Sequence, residues 1–301
     1  MKVFIVGASG LVGSHCLAHF KEQGWIVKGS HCNFATDTTC YYNTLQPHND
    51  QNFDVVSFGP EVIVHCAALT NVDYCENHEK ESYEHTLEST RHVCELAIKC
   101  GARVVYISTD YVFDGNSGPY QENDTPNPIN VYGKHKFLAE QLVRTSVIDS
   151  LVLRVTNVYG DEARGKNFVA RIIQHCHQKQ PICLKLPYDQ FATPINANDI
   201  ARAMFVLLSD KKTGIYHLAS TDYMNRVELA RRTLSYFPGA EFMSIEPVNS
   251  TTMKQTATRP LVGGLLKVKF ATEYPTFVFN SVDNYLSSTT KTSISIRENK
   301  T

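Results

Sequence analysis

The sequence predicts an α/β fold in which a doubly wound parallel sheet carries a smaller C-terminal lobe. Three observations predict it. A short apolar run at residues 3–6 leads straight into a glycine-rich turn. Further apolar runs of strand length then alternate with helical segments, which is the order that a parallel sheet requires. Beyond about Asn157 this alternation becomes less regular, which predicts a second lobe.

The glycine-rich turn is the most specific feature of the N-terminal region. The helix that follows it continues to about residue 23, and Gly24 ends it before a second strand at residues 25–27. This is the order of a Rossmann-type βαβ unit, in which glycines let a dinucleotide pyrophosphate approach the backbone and the helix N-terminus. The predicted cofactor-binding residues of the turn are Gly7, Ser9, Gly10, Leu11, Val12 and Gly13.

A second motif carries proton chemistry. Tyr132 and Lys136 stand four residues apart, about one helical turn, and therefore share one face of a helix. A nearby ammonium favours a phenolate and lowers the tyrosine pKa, which suits proton transfer. Such pairs also occur by chance on solvated helix faces, so the glycine turn gives this one its weight. Thr109 follows a predicted strand, at the edge of the sheet where ligands bind.

The remaining elements follow from apolar periodicity and from Gly or Pro at their ends. The predicted strands lie at residues 62–68, 103–107, 151–155, 182–186 and 215–218, and the predicted helices at 79–100, around Tyr132, at 166–177 and at 197–208. These elements predict a nucleotide-binding domain at residues 1–160, to which residues of about 190–218 return. Residues 161–286 would form mainly a substrate-binding lobe, and residues 287–301 a polar, frayed tail.

Composition excludes several classes of function. The formal net charge is −1 with 20% charged residues, so neither a nucleic acid nor a membrane surface is expected as a partner. No apolar stretch approaches the roughly 18 residues that span a bilayer, and the first strand begins too early for a signal peptide, so we expect a cytoplasmic protein. Nine cysteines without a Cys-x-x-Cys pair indicate reduced thiols and no metal site.

The two motifs together carry a family resemblance. Gly-x-x-Gly-x-x-Gly with Tyr-x-x-x-Lys resembles the short-chain dehydrogenase/reductase superfamily, and the length of 301 residues suits its extended branch. Residues 108–115, Ser-Thr-Asp-Tyr-Val-Phe-Asp-Gly, are very similar to a signature of the dTDP-4-dehydrorhamnose reductase family. Resemblance extends over roughly residues 1–285. The same block occurs in a non-catalytic relative, the regulatory β subunit of methionine adenosyltransferase, so it does not by itself establish catalysis.

The resemblance implies a role for each site residue. Thr109 would hydrogen-bond the keto oxygen of the substrate, Tyr132 would be the general acid, and Lys136 would hold the cofactor ribose and lower the Tyr132 pKa. The resemblance further implies that Gly7, Gly10 and Gly13 cradle the pyrophosphate, that Ala67 and Ala68 line the cofactor cleft, and that Asn167 and Arg259 approach the phosphates of a nucleotide sugar.

The block around Thr109 also favours one reaction class within the superfamily. The similar nucleotide-sugar dehydratases carry Thr-Asp-Glu, where the carboxylates serve water elimination, whereas Tyr111 stands third here. Epimerases of the branch usually show Ser-Ser. Simple reduction needs only a hydride source, a proton donor and a group that polarises the carbonyl. Asp110 is a further substrate-binding candidate, although local capping or packing would also explain it.

The end of the second strand bears on the cofactor. An acidic residue there usually bonds the ribose of NAD, but residues 28–33 read Lys-Gly-Ser-His-Cys-Asn. Ser30 and His31 could bond a 2′-phosphate, so we expect NADPH to be preferred, with NADH possible. Three features depart from the family: Thr86 replaces an Asn near the site, an Arg after the second strand is missing, and residues 42–45 provide no clear Asp for adenine.

Two functions therefore follow from the sequence. The first is an NAD(P)H-dependent reductase of the 4-keto group of a nucleotide-diphospho-6-deoxy-4-ketohexose. The second is a regulatory subunit that uses the same fold to bind NADP and a partner enzyme. Thr109, Tyr132 and Lys136 favour the reductase, and the departures favour the regulator. The expected partners are a nucleotide-sugar substrate and either a second copy of the chain or a partner enzyme.

Overall fold

The computed structural model describes residues 1–46 and 52–298, and it confirms the predicted α/β doubly wound fold. The strands are β1 Lys2–Val6, β2 Ile26–His31, β3 Thr39–Tyr41, β4 Val62–His65, β5 Arg103–Thr109, β6 Leu151–Val155, β7 Ile182–Pro187, β8 Phe191–Ala192, β9 Gly214–His217, β10 Met224–Asn225 and β11 Met243–Val248. The α-helices are α1 Leu11–Glu22, α2 Val55–Phe58, α3 Val72–Asn77, α4 Glu79–Tyr83, α5 Ser89–Cys100, α6 Val131–Ser146, α7 Phe168–Gln178, α8 Ala197–Ser209, α9 Arg226–Leu234, α10 Val268–Glu273 and α11 Val282–Glu298.

The main sheet has seven parallel strands in the order β3-β2-β1-β4-β5-β6-β9 within the described part of the chain. The strand order reverses beside β1, which pairs with both β2 and β4, and a crevice forms at such a switch point. Side chains of a strand alternate between faces. Ile5 therefore packs in the layer of α1 and α8, and Phe4 in the layer of α5 and α6.

The segment at residues 195–218 completes this domain. Helix α8 packs against α1, and β9 pairs with β6 at the sheet edge. Its residues Ile200, Met204 and Leu207 are fully buried in the same apolar cluster as Leu17 and Phe20 of α1. The chain thus returns from the C-terminal lobe to close the first core.

The C-terminal lobe has its own apolar core. Strands β7 and β11 pair in parallel, β8 and β10 pair antiparallel, and α7, α9 and α11 supply buried apolar side chains. Sequence patterns predict neither α9 nor β11, because α9 is rich in charged residues and Pro247 lies within β11.

The segment predicted to be a polar tail is helical instead as far as Glu298, and residues 299–301 lie outside the described residues. Val282 and Leu286, four residues apart, are fully buried in the core of the C-terminal lobe. Two buried apolar residues on one face anchor α11 even though the helix is otherwise polar.

A buried polar network lies behind α6. Both side chains of the Glu140–Arg154 pair are buried, and two hydrogen bonds of 2.9 and 2.7 Å join them. Arg154 also donates to His217 Nε2 at 3.3 Å, and His217 Nδ1 donates to the Tyr120 carbonyl at 3.0 Å. Burial and the nearby guanidinium lower the His217 pKa to about 3, so the imidazole is neutral. The network joins α6, β6 and β9 to the loop after β5.

Candidate active site

The Asn130 side chain caps the N-terminus of α6, the helix that carries Tyr132 and Lys136. The Asn130 side chain accepts a hydrogen bond from the Gly133 N–H at 2.8 Å, which satisfies a free donor of the first turn. Its amide group donates to the Thr258 carbonyl at 2.8 Å, so the same residue ties the helix start to the segment after β11. Tyr132 and Lys136 consequently enter the site one turn apart on a fixed helix.

Thr109, Tyr132 and Lys136 come together at the carboxyl end of β5. The Thr109 hydroxyl lies near the Tyr132 phenol and acts to lower its pKa. All three side chains are buried, and Lys136 is only 2% exposed. The ring of Tyr111 packs edge-on against Tyr132 at a centroid distance of 5.7 Å. The arrangement places a proton-bearing phenol beside a hydroxyl that could hold a carbonyl oxygen.

The expected effect of Lys136 on Tyr132 is not what the structure shows. Burial raises the Tyr132 pKa, and the negative charge of Asp110 adds to this, although the nearby Thr109 hydroxyl opposes it. Desolvation outweighs any charge effect because the phenol lies in the protein interior. Tyr132 is therefore protonated at neutral pH, which suits a proton donor.

The side chain of Lys136 has a pKa that lies near neutral pH. Its ammonium donates to the Ile107 carbonyl at 2.6 Å and lies 4.1 Å from the centroid of the Tyr106 ring. Burial lowers the Lys136 pKa to about 7, while Glu140 acts in the opposite direction. Lys136 thus carries its charge below about pH 7 and loses it above.

We expect kcat/KM to fall as the pH rises through about 7. The Lys136 pKa is lowered to about 7, so the fraction of charged lysine available to hold a ribose decreases in that window. The measurement is kcat/KM from about pH 6 to about pH 9. An active Lys136→Arg variant should remove the fall, because arginine keeps its charge. A flat profile for the unmodified chain would contradict the assignment.

The glycine turn between β1 and α1 has the close backbone packing that the predicted phosphate cradle requires. A side chain at Gly7 would come within 2.8 Å of the Ala67 nitrogen, and one at Gly13 would overlap the Gly7 carbonyl oxygen. Gly10 precedes α1 with no capping side chain, so the first N–H groups of the helix are left for a ligand. Ala67 and Ala68 follow β4 and are half-buried beside this turn. The residues present fit a dinucleotide.

Replacing Gly13 by Ala should destabilise the turn. The added methyl group overlaps the Gly7 carbonyl oxygen, and overpacking of this kind costs about 1–3 kcal/mol. Gly10→Ala is the matched control, because its methyl group would lie 3.4 Å from the same oxygen. Thermal unfolding of both variants tests the packing, and equal midpoints for the two would contradict it.

Ser30, one of the two residues predicted to contact a 2′-phosphate, is engaged elsewhere, and one ring nitrogen of the other, His31, is also paired. Ser30 is fully buried; its hydroxyl accepts from the Gly7 N–H at 3.4 Å, and its carbonyl accepts from the Ala8 N–H at 2.7 Å. His31 Nδ1 is hydrogen-bonded to the Thr39 hydroxyl at 2.8 Å. Ser30 therefore supports the glycine turn from beneath and is not placed to reach a phosphate.

The predicted substrate contacts are also partly committed to the fold. Arg259 forms two hydrogen bonds of 2.9 and 2.8 Å with Asp73. Asn167 caps α7 by accepting from Ala170 at 3.0 Å. Asp110 is buried, burial raises its pKa, and it accepts from the Gly264 N–H at 3.3 Å. The packing role considered for Asp110 is thus the one that the hydrogen bonds support.

Arg226 is a site residue that the sequence does not reveal. Its guanidinium donates to the Asn157 side chain at 2.6 Å and lies 4.7 Å from the centroid of the Phe168 ring. Burial lowers its pKa, while Tyr111 acts in the opposite direction. Arg226 begins α9, and no motif marks it, because its neighbours are distant in sequence. It brings a half-buried positive charge close to Tyr111.

Neither a metal site nor a membrane-spanning helix is found among the described residues. No group of His, Cys, Asp and Glu side chains there could hold a metal ion. No helix in the same part of the chain is long and apolar enough to cross a membrane. Thr86, which stands where the family places an Asn, is buried within a π-helical turn at Glu84–Glu88.

Comparison with known proteins decides the family. The model of the family described as the RmlD substrate binding domain matches residues 1–283. The chain belongs to this family. That membership confirms the resemblance to dTDP-4-dehydrorhamnose reductases drawn from the Thr109 block and the glycine turn.

Proteins with different names are similar to this chain. It is 31% identical over 235 residues to methionine adenosyltransferase 2 subunit beta from Bos taurus, covering 76% of this chain and 70% of that protein. It is 32% identical over 233 residues to the spore coat polysaccharide biosynthesis protein SpsK of Bacillus subtilis, covering 76% and 77%. A solved dTDP-4-dehydrorhamnose reductase from Bacillus anthracis, in complex with NADP, superposes with a TM-score of 0.81 at 25% identity, covering 95% and 97%.

Proposed function

We propose that this chain is an NAD(P)H-dependent reductase of the 4-keto group of a nucleotide-diphospho-6-deoxy-4-ketohexose. The observation that carries the proposal is the placement of the Thr109 hydroxyl near a buried, protonated Tyr132 phenol, one helical turn from Lys136. The solved reductase with NADP and the family match support the same class of reaction.

The chain's own residues would each perform one task. Thr109 turns its hydroxyl proton from Asp110 to the keto oxygen of the bound substrate and fixes the position of that oxygen. Tyr132 transfers its proton to that oxygen as negative charge develops there, which general acids do most effectively in a dry, preorganised site. The glycine turn holds the pyrophosphate, and the Lys136 ammonium holds the ribose. A bound reduced nicotinamide supplies the hydride.

Tyr111 supports reduction over elimination. A dehydratase needs a second acid–base carboxylate beside Thr109, and the only carboxylate of the Thr109–Tyr111 segment is that of Asp110. Asp110 is buried and accepts hydrogen bonds from Gly264 and Thr109. It is therefore held in place as a structural acceptor, and proton transfer rests on Tyr132.

A regulatory role is the second candidate. The relatives named methionine adenosyltransferase 2 subunit beta favour it, and so does Thr86 in place of the family Asn. In this case the same cleft would bind the dinucleotide without turnover, and the chain would act through a partner enzyme.

One experiment separates the two candidates. Purified protein is mixed with NADPH and, in turn, with the dTDP-, GDP- and UDP-linked 4-keto-6-deoxyhexoses, while loss of the reduced-nicotinamide absorbance is followed. Turnover with any of them supports the reductase. NADPH binding without turnover across the panel would contradict it and favour the regulator. A thermal-shift screen against nucleotide sugars would then identify the base and the sugar.

A further inference from the structure

A loop of the C-terminal lobe reaches across the N-terminal domain to the region after β2. We name residues 161–166 the crossing loop. Its first carbonyl, that of Asp161, accepts a hydrogen bond from His15 Nε2 on α1 at 2.9 Å. Further along, the Arg164 guanidinium lies 5.6 Å from the centroid of the Phe34 ring. The contacts at Asp161 and Arg164 thus hold the crossing loop in place beside the glycine turn, and its course between them is called its path.

This path borders a cleft between the glycine turn and residues 36–38, and Glu162 and Ala163, which directly precede Arg164, form part of its wall. The cleft has a volume of about 240 Å³. Its polar lining consists of Ser9, Ser14, Lys21, Thr36, Thr38 and Glu162. Ser9 belongs to the glycine turn, and Phe34 lies three residues beyond His31, the last residue of β2. In a Rossmann-type domain the ribose of the adenosine half lies between these two segments.

The charge around Arg164 is suited to an anion. The carboxylate nearest in sequence, Glu162, accepts hydrogen bonds from the backbone N–H groups of Lys166 and Asn167, the latter at 2.6 Å. Within residues 1–46 and 52–298, the exposed Arg164 side chain takes part in no ion pair and no hydrogen bond, and it contacts the Phe34 ring. Residues 28–33 contain no acid, and the first acid after β2 is Asp37, between Thr36 and Thr38.

We propose that Arg164 binds the 2′-phosphate of NADPH and is the residue by which this chain distinguishes NADPH from NADH. The cation would come from the crossing loop of the other lobe, because Ser30 is buried under the turn and no arginine follows β2. Phe34 fixes the plane of the guanidinium, and the hydroxyls of Ser9, Thr36 and Thr38 can complete the oxygen contacts. The inference rests on the dinucleotide site of the proposed function but not on turnover.

Binding measurements with two dinucleotides test it. NADPH and NADH are titrated separately into the full-length protein, followed by nicotinamide fluorescence. Arg164→Ala should weaken NADPH binding by about tenfold, as expected for loss of one charged hydrogen-bond donor, and leave NADH binding unchanged. Arg164→Lys should keep part of the preference. Lys166→Ala, which removes an exposed cation from the same loop, is the matched control and should alter neither affinity.

The outcomes separate this inference from the proposed function. A chain that binds NADPH and NADH equally well, or an Arg164→Ala variant that keeps its preference for NADPH, overturns the role of Arg164 and leaves the reductase assignment standing. Equal losses for Arg164→Ala and Lys166→Ala also overturn it, because they reflect general charge. Binding of neither dinucleotide overturns both. Catalytic inactivity with intact NADPH preference overturns only the proposed reductase.

Discussion

Replacing Tyr132 by Phe is expected to lower kcat for keto reduction by about 10²–10⁴-fold, the usual contribution of a general acid. The substitution removes only the phenolic oxygen, which the Thr109 hydroxyl contacts, and leaves the ring packed against Tyr111. The measurement is single-turnover oxidation of NADPH with the accepted nucleotide sugar. NADPH affinity and thermal stability should stay close to those of the unmodified chain.

Tyr111→Phe is the neighbouring comparison for this prediction. Tyr111 is packed in the same site but has no contact with Thr109 through its phenol, so kcat should fall much less than for Tyr132→Phe. A Tyr132→Phe variant that retained its rate would remove Tyr132 as the acid. It would also leave Thr109 without the partner on which the proposed chemistry depends.

The second large effect concerns stability. Glu140→Ala should lower the free energy of unfolding by about 3–5 kcal/mol, because it leaves the buried Arg154 guanidinium without its counter-charge. His217 cannot compensate, since its nitrogen facing Arg154 acts as an acceptor and its imidazole is neutral. Denaturant unfolding followed by circular dichroism measures the change.

A double variant provides the control for the ion pair. Glu140→Leu with Arg154→Met removes both charges together, and well-packed apolar replacements of buried pairs are often nearly neutral. The double variant should therefore be more stable than Glu140→Ala alone. If the single variant unfolded at the same denaturant concentration as the unmodified chain, the pair would contribute nothing measurable.

The features that the sequence predicts are local ones. The glycine turn, the Tyr132–Lys136 spacing and the strand that ends at Thr109 each lie within a few residues, so periodicity and turn chemistry are sufficient to place them. The parallel sheet follows because apolar runs alternate with helices. The structure bears out these elements in order.

The features that sequence patterns miss depend on distant residues. Arg226 meets Asn157 across 69 positions, and Arg259 meets Asp73 across 186. Nothing in either neighbourhood marks those partners. Ser30 shows the converse problem, because a strand-end serine can face a ligand or the interior, and only packing decides which. The pKa of Tyr132 likewise depends on burial that a four-residue spacing does not reveal.

The late return of α8 and β9 to the first core has a consequence for how the protein can be made. Leu17 and Phe20, near the start of the chain, share their apolar cluster with Met204, Leu207 and even Phe270. A fragment cut near residue 160 would expose the inner face of α1 and an open edge at β6, a surface prone to aggregation. On the ribosome, too, the nucleotide-binding half would have to wait for most of the polypeptide before it could close. Truncated expression should therefore retain residues through at least α10.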